Sequence, residues 1–490
     1  MNCYVTVNKE DCTMDINDLF FRRKFSFSLY KNLRLKLACA EFSKDITEQQ
    51  RGNKYPLMFS SGEFTEKVCG GEYFFSGGTA ARYIAPFYPY AVNEVTVNGL
   101  DGECGFVFGH GTDRIKITLN SADGLCVCFE CGSGKEKIEL DCGFVPGMKL
   151  SVLVRHNLFD VYISKKDFPE FVNTFTADEF AESSSEKFFR SAEVGLICSG
   201  ETVCGGACIF DDSGISQADI RPVCYENGDV ITENGRMFFT ASIRHQQGGC
   251  QGVFSWIPGT AEFELTGTLF FDTGDGAWSS DVATCLVFDR HVKKWLLWVC
   301  SFSHGHILGH AEFDGEPRYG RNVIDITLVD KLPEGADDTV FGGKPGDEDP
   351  ALTYDENRGK WLLAVCRVAE DKHYRYFFFE SDNPFEGFTF VGSGVPGAET
   401  GGSFFRLDGE IYFICGNGFG ERSCYRAYKY GIFDKAERLR CDIDDGGFRG
   451  WGSIFSVKQG TRKRTYWLTF DRQNGSEFNW TYGNLYCFEA

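Results

Sequence analysis

Asp281-Val-Ala-Thr-Cys-Leu-Val-Phe-Asp289, followed by Lys293-Lys-Trp-Leu-Leu-Trp298, returns 68 residues later as Asp349-Pro-Ala-Leu-Thr-Tyr-Asp355, followed by Gly359-Lys-Trp-Leu-Leu-Ala364. Each copy reads as an acidic residue, a short apolar strand, a charged turn and a second strand rich in aromatics. Three more segments share that plan. They are Asp219-Ile-Arg-Pro-Val-Cys-Tyr225, Glu399-Thr-Gly-Gly-Ser-Phe-Phe405 and Gly450-Trp-Gly-Ser-Ile-Phe-Ser456, each with a following strand. The leading residues are spaced 62, 68, 50 and 51 apart. A hairpin-like unit recurring at that period is the signature of a β-propeller, because each unit buries its apolar faces only against its neighbours. Five units fill residues 206–490, which predicts a five-bladed propeller. Unrelated hairpins of a second sandwich are the competing reading.

Residues 1–205 read differently. Arg114-Ile-Lys-Ile-Thr-Leu119 alternates polar and apolar residues, the mark of a strand with one buried face. Gly124-Leu-Cys-Val-Cys-Phe-Glu130, Lys149-Leu-Ser-Val-Leu-Val-Arg155 and Leu158-Phe-Asp-Val-Tyr-Ile-Ser164 continue the series with Gly-rich turns between them. Such a series predicts a β-sandwich. Its order resembles the concanavalin-like jelly roll of lectin and laminin-G modules. A short helical piece is expected near Ala177–Phe189. The fold class is therefore all-β: an N-terminal sandwich (jelly roll) over 1–205, then the propeller.

Composition bounds the function. The 490 residues include 57 Gly and 16 % aromatics, which suits many strands and tight turns. A net charge of −20 repels phosphate backbones and argues against a nucleic-acid partner. No apolar run of roughly 18 residues offers a transmembrane helix, so no membrane partner is expected. Met1–Phe20 carries Lys9, Glu10, Asp11, Asp15 and Asp18 in place of a basic start and an apolar run. It does not read as a secretory signal, so a cytoplasmic location and reduced thiols are expected for the 21 cysteines. Two cysteine clusters, Cys126/Cys128/Cys131 and Cys198/Cys204/Cys208, read as core thiols, with a structural zinc as the weaker alternative. No residue is assigned as a metal ligand.

The chemistry is expected where the repeats converge. In a propeller the innermost strands line the axis, and their first residues meet at one end. That register gathers Asp219, Asp281, Asp349 and Glu399. Clustered carboxylates repel each other, which pushes some pKa values up and leaves others ionised. Acid–base work on a glycosidic bond needs that split.

Here a family resemblance appears. Ala218-Asp219-Ile-Arg-Pro-Val223 resembles the first-blade motif of glycoside hydrolase family 43 and its five-bladed relatives, where the Asp is the general base. Asp347-Glu-Asp-Pro-Ala-Leu-Thr-Tyr-Asp355 resembles the third-blade Ile-Asp-Pro segment, and Ala398-Glu399-Thr-Gly-Gly the fourth-blade Glu-Gly-Pro segment. Pro222 is shifted from the family's Asp-Pro, and Thr-Gly replaces Gly-Pro, which marks a divergent relative. The resemblance implies an inverting glycosidase. Glu399 would be the acid, Asp219 the base, and Asp349 the residue that orients and tunes Glu399, with Asp347 as its substitute. The two main carboxyls would then sit about 6.5 to 9.5 Å apart.

Asp281, Trp278, His304, Arg449 and Trp451 are the candidate substrate-binding residues, and His306 neighbours His304. No cofactor is required; the resemblance implies at most a calcium ion on the propeller axis. The expected partner is a short oligosaccharide or glycoside, arabinoside- or xyloside-like, with fructosides and galactosides left open. The sandwich either closes one rim of the pocket or serves homo-oligomer formation. Two other functions stay open: a glycoside phosphorylase, for which Arg221, Arg244, His245 and Arg449 would bind phosphate, and a non-catalytic carbohydrate-binding propeller. A retaining fructosidase would need an Asn-Asp-Pro-Asn-Gly strand, which is absent.

Overall fold

The computed structural model describes residues 14–490 apart from 41–53, 123, 132–133, 156–157, 166–168, 177–190, 247–248, 275, 277, 280, 334–345, 398, 418–424, 443–451, 460–461 and 471–483. The helical piece expected over 177–189 lies outside the described residues. Strands dominate the rest; the one named helix is a single 3-10 turn, Ile16–Asp18, capped by Asp15. No helix among the described residues is long and apolar enough to cross a membrane.

The described residues form two compact units, one within 34–212 and the other made of 14–33 with 213–490. The division falls between Asp212 and Ser213. Residues 14–33, however, belong with the propeller.

The propeller has five sheets. Their innermost strands are Ser216–Pro222, Val282–Asp289, Asp347–Asp355, Glu399–Leu407 and Ser453–Gln459. Each contacts the next, and the last contacts the first, so the ring closes. In the fifth blade the outermost strand is Arg22–Phe27, paired antiparallel with Leu485–Glu489 from the other end of the chain. This closure joins the ring by hydrogen bonds, and Phe21 meets Trp467 edge-on at 5.8 Å behind it. The repeat could not disclose this strand, because it lies outside the repeating segments.

The turn shared by the two best-matched repeats has a plain cause. Asp289 and Asp355 each accept a hydrogen bond from the backbone N–H two residues on, at 2.8 and 3.0 Å. Lys293 and Gly359 then close the turn in the left-handed region, at φ 59° and 65°. Side-chain-to-backbone bonding of this kind is why Asp opens such turns. The tryptophans that follow fill the space between blades. Trp298 is fully buried and packs against Phe385 and Phe388 of the third blade at 6.2 and 5.9 Å.

Residues 34–212 form one hydrogen-bonded sheet of eleven strands. Four of these are long: Leu57–Cys69, Glu72–Pro86, Val92–His110 and Glu193–Asp212. A row of glycines crosses them where they lie side by side: Gly62, Gly77 and Gly78, Gly200, and Gly102. Gly62, Gly77, Gly102 and Gly200 have positive φ, from 63° to 149°. A Cβ on Gly102 would stand 2.1 Å from the carbonyl oxygen of Ser199, and one on Gly200 equally close to that of Asp101. The strands bend here because only glycine fits. Replacing Gly102 by Ala is therefore expected to destabilise this unit by at least ~2 kcal/mol, read by urea denaturation; a change near zero would show that the bend tolerates a side chain.

The main apolar core of the unit includes Phe106, Phe108, Ile117, Val127, Val152 and Phe159, with smaller clusters around Val107 and Leu153. Fifteen described cysteines are free, most of them buried, as expected. Cys39 and Cys208 differ: they face each other on paired strands and form a disulfide.

Candidate active site

The innermost strands do more than line the axis. In four blades each carries a bulge at the same place, between Ala218 and Arg221, Val282 and Cys285, Glu348 and Ala351, and Thr400 and Ser403. The bulged residue takes a left-handed backbone: Asp219 at φ 57°, Ala283 at 57°, Asp349 at 49° and Gly401 at 58°. That conformation costs an L-residue roughly 1 kcal/mol, and aspartate bears it better than most. The bulges re-aim the side chains. They also correct the sequence register. Asp219 and Asp349 are equivalent, whereas Asp281 and Glu399 stand two residues earlier, level with Gln217 and Asp347.

Asp219 is buried. Its Oδ2 accepts a 2.7 Å hydrogen bond from the Ser242 hydroxyl, and its Oδ1 has no partner. Ser242 is itself held by Gln251 Nε2 at 2.7 Å and by the Ala283 N–H of the next blade at 2.9 Å. Burial, and then the nearby charge of Asp349, push the Asp219 pKa up to about 6.

Asp349 reaches into the fourth blade. Its Oδ2 accepts from Thr400 Oγ1 at 2.8 Å and from the Gly401 N–H at 2.9 Å. It therefore grips the two residues that follow Glu399, Thr400 by its hydroxyl and Gly401 by its backbone N–H. Glu399 is fully buried, with both oxygens engaged: Oε2 by the Tyr376 N–H at 3.0 Å, Oε1 by Arg426 Nη1 at 3.0 Å and by the Tyr428 hydroxyl. Burial raises its pKa against the pull of these donors.

Asp281 accepts from the Ser279 hydroxyl at 2.7 Å and the Ser303 hydroxyl at 2.8 Å. Ser303 lies 3.0 Å from His304 Nδ1, which also contacts Ser301 Oγ at 2.7 Å. Asp281 and His304 are thus joined through one serine. Asp347 does not substitute for Asp349: it is locked in a two-point pair with Arg367, both bonds 2.8 Å. Trp278 is half-buried and packs on Phe270 at 5.4 Å, with Arg321 above it at 5.9 Å. It is placed as blade packing. Arg449 and Trp451 lie outside the described residues.

Two residues at the site had no role in the sequence reading. Glu348 bonds His306 Nδ1 at 2.7 Å and the Tyr374 hydroxyl at 3.0 Å, and burial raises its pKa. The run of three carboxylates, Asp347-Glu348-Asp349, was its only signal. Arg426 is the second; nothing in its local sequence marks it.

Arg221 bears on the calcium ion. It is 3 % exposed, its guanidinium nitrogens have no hydrogen-bond partner, and Asp349, Asp219 and Tyr376 act on it electrostatically. A fixed positive charge beside these carboxylates repels a cation there. Asp281, Asp347 and Glu399 have their oxygens engaged already. The described residues do not fit a calcium ion on the axis.

No protein-family model and no curated protein matches the chain. Solved structures to which it is similar include an α-L-arabinofuranosidase from Podospora anserina in complex with cellotriose, at 13 % identity over 56 % of this chain and 92 % of that one, TM-score 0.36. A family 117 glycoside hydrolase from Zobellia galactanivorans is 13 % identical over 56 % of this chain and 84 % of that one, TM-score 0.38. A carbohydrate-binding module from Bacillus subtilis is 11 % identical over 32 % of this chain and 92 % of that one, TM-score 0.23.

Proposed function

We propose that the propeller is a glycoside hydrolase that acts by single displacement with inversion. The observation that carries this reading is Asp219: a buried carboxyl with one oxygen unpartnered, whose burial, and then the charge of Asp349 beside it, raise its pKa to about 6. At neutral pH it is ionised and basic enough to take a proton from an attacking water. Glu399, pushed up by burial, gives its proton to the leaving oxygen. Asp349 positions Glu399 through the Thr400 hydroxyl and the Gly401 N–H. Glu348 meets the same requirement of a raised pKa, so the assay must separate the two.

The substrate class follows the resemblance: terminal arabinosides or xylosides of short oligosaccharides, with fructosides and galactosides as the neighbouring choices. Asp281 and His304 would bind sugar hydroxyls, as would the resemblance-placed Arg449 and Trp451. The N-terminal unit is a sandwich in this reading, its bent sheet closing over Phe108, Phe129 and Phe159, whose rings meet at 5.7 and 6.5 Å. A cytoplasmic site of action and a homo-oligomer belong to the same proposal.

One observation favours a second reading. The unpaired guanidinium of Arg221 suits an anion, and phosphate in place of water would make the enzyme a phosphorylase. The deciding experiment is hydrolysis of a panel of aryl furanosides and pyranosides, with and without phosphate, following product anomers by proton NMR. Inversion is expected, with turnover lost in Glu399→Gln and kept in Glu348→Gln. The reverse pattern would move the acid role to Glu348; retention would end the single-displacement mechanism. No turnover under any condition would leave a binding propeller.

A further inference from the structure

Cys198 and Cys204 are six residues apart on one strand. Along a straight strand they would stand about 20 Å apart. The strand turns back at Gly200, and the neighbouring strand turns with it at Gly102. The bend brings Cys198 and Cys204 together, and Cys104 of the paired strand joins them. The three Sγ atoms lie within 4.8 Å of one another, and Cys104 and Cys198 are 3.9 Å apart. All three side chains are buried in the apolar core of the unit.

Packing alone does not ask for this. Valine or alanine would fill three core positions without bringing three polarizable, oxidisable atoms to one point. The Cys104–Cys198 separation of 3.9 Å is that of a ligand pair, since sulfurs each about 2.3 Å from one ion stand roughly 3.8–4.0 Å apart, and the third sulfur is within 4.8 Å of both. Among the described residues no fourth His, Cys or carboxylate joins the group. Structural zinc is almost always four-coordinate, whereas soft thiolate sets also select monovalent copper. We propose that Cys104, Cys198 and Cys204 form a buried trigonal thiolate site for a soft ion, with copper(I) favoured over zinc.

The site sits in residues 34–212 and is independent of the glycosidase reading. Because the cluster is sealed, the ion must enter before the bend closes. Binding is then coupled to folding, and the loaded protein resists chelators in its native state.

The test refolds the full chain anaerobically under reducing conditions with copper(I) or zinc, removes free metal on a desalting column and measures metal by mass spectrometry. One equivalent of copper(I) per chain is expected, falling at least tenfold in Cys198→Ser and unchanged in Cys69→Ser, which alters an exposed thiol. X-ray absorption on the loaded wild type keeps the proposal testable if Cys198→Ser fails to fold; three sulfurs at about 2.3 Å are expected. Absence of retained copper, or copper retained equally by Cys198→Ser, would overturn the site. Zinc held in preference to copper would overturn the trigonal assignment.

Discussion

Replacing Asp219 by Asn is expected to cost about 10²–10⁴-fold in turnover and, at neutral pH, to make the protein more stable. Both effects come from one cause. The Asp219 carboxyl sits in a buried pocket beside Asp349, and its pKa rises from 3.8 to about 6. The folded state therefore binds this proton more tightly than the unfolded chain. Stability from the protonated form is complete below pH ~4, is lost as pH rises from about 4 to 6, and levels off above that. The full loss is roughly 3 kcal/mol. Asparagine carries no charge and still accepts the hydrogen bond from Ser242. The variant should melt several degrees above wild type at pH 7.5 and close to it at pH 4.5. If Asp219→Asn instead melts lower at pH 7.5, with the pH profile unchanged, Asp219 is a structural residue held by Ser242, and the base must be sought elsewhere.

Arg367→Ala carries the largest expected loss of stability, about 3–5 kcal/mol. Asp347 and Arg367 are almost completely buried, with side chains 3 % and 1 % exposed. Removing the guanidinium takes away the two charged hydrogen bonds that the buried Asp347 carboxylate accepts from Arg367. It also removes a cation lying between the rings of Phe377 and Phe379, at 5.1 and 5.4 Å. The double variant Asp347→Leu with Arg367→Met is expected to recover most of the loss, because breaking a buried pair costs more than deleting it whole. Urea unfolding of wild type, both single variants and the double variant gives the coupling directly. A single-variant loss under about 1 kcal/mol would show that water or the backbone already satisfies Asp347. Activity should fall with stability in Arg367→Ala, since Asp347 opens the strand that carries Glu348 and Asp349.

Much of this was legible in the chain. The repeats of Asp281–Trp298 and Asp349–Ala364 disclosed blades because a blade is a local object, built from consecutive hairpins. The Asp-x3-Lys and Asp-x3-Gly turns could be read for the same reason. The strand Arg22–Phe27 could not, since it is isolated in sequence and its partners Leu485–Glu489 stand at the other end of the chain. The bulges escaped too. They shift Asp219 and Asp349 by two residues relative to Asp281 and Glu399, and a spacing count has no means to see a left-handed residue.

Sequence by itself determined that this is an all-β chain, that its C-terminal part repeats five times, and that carboxylates stand at the heads of the repeats. Those are properties of periodicity and composition, written in adjacent residues. Tertiary structure alone decided the rest. It left Asp219 with a free oxygen while Asp347 and Glu399 were claimed by Arg367 and Arg426, and it set Arg221 among the carboxylates. It also folded a strand at Gly200 so that three thiols meet. Each depends on groups distant in sequence sharing one desolvated space, where burial and neighbouring charge set what a side chain can do.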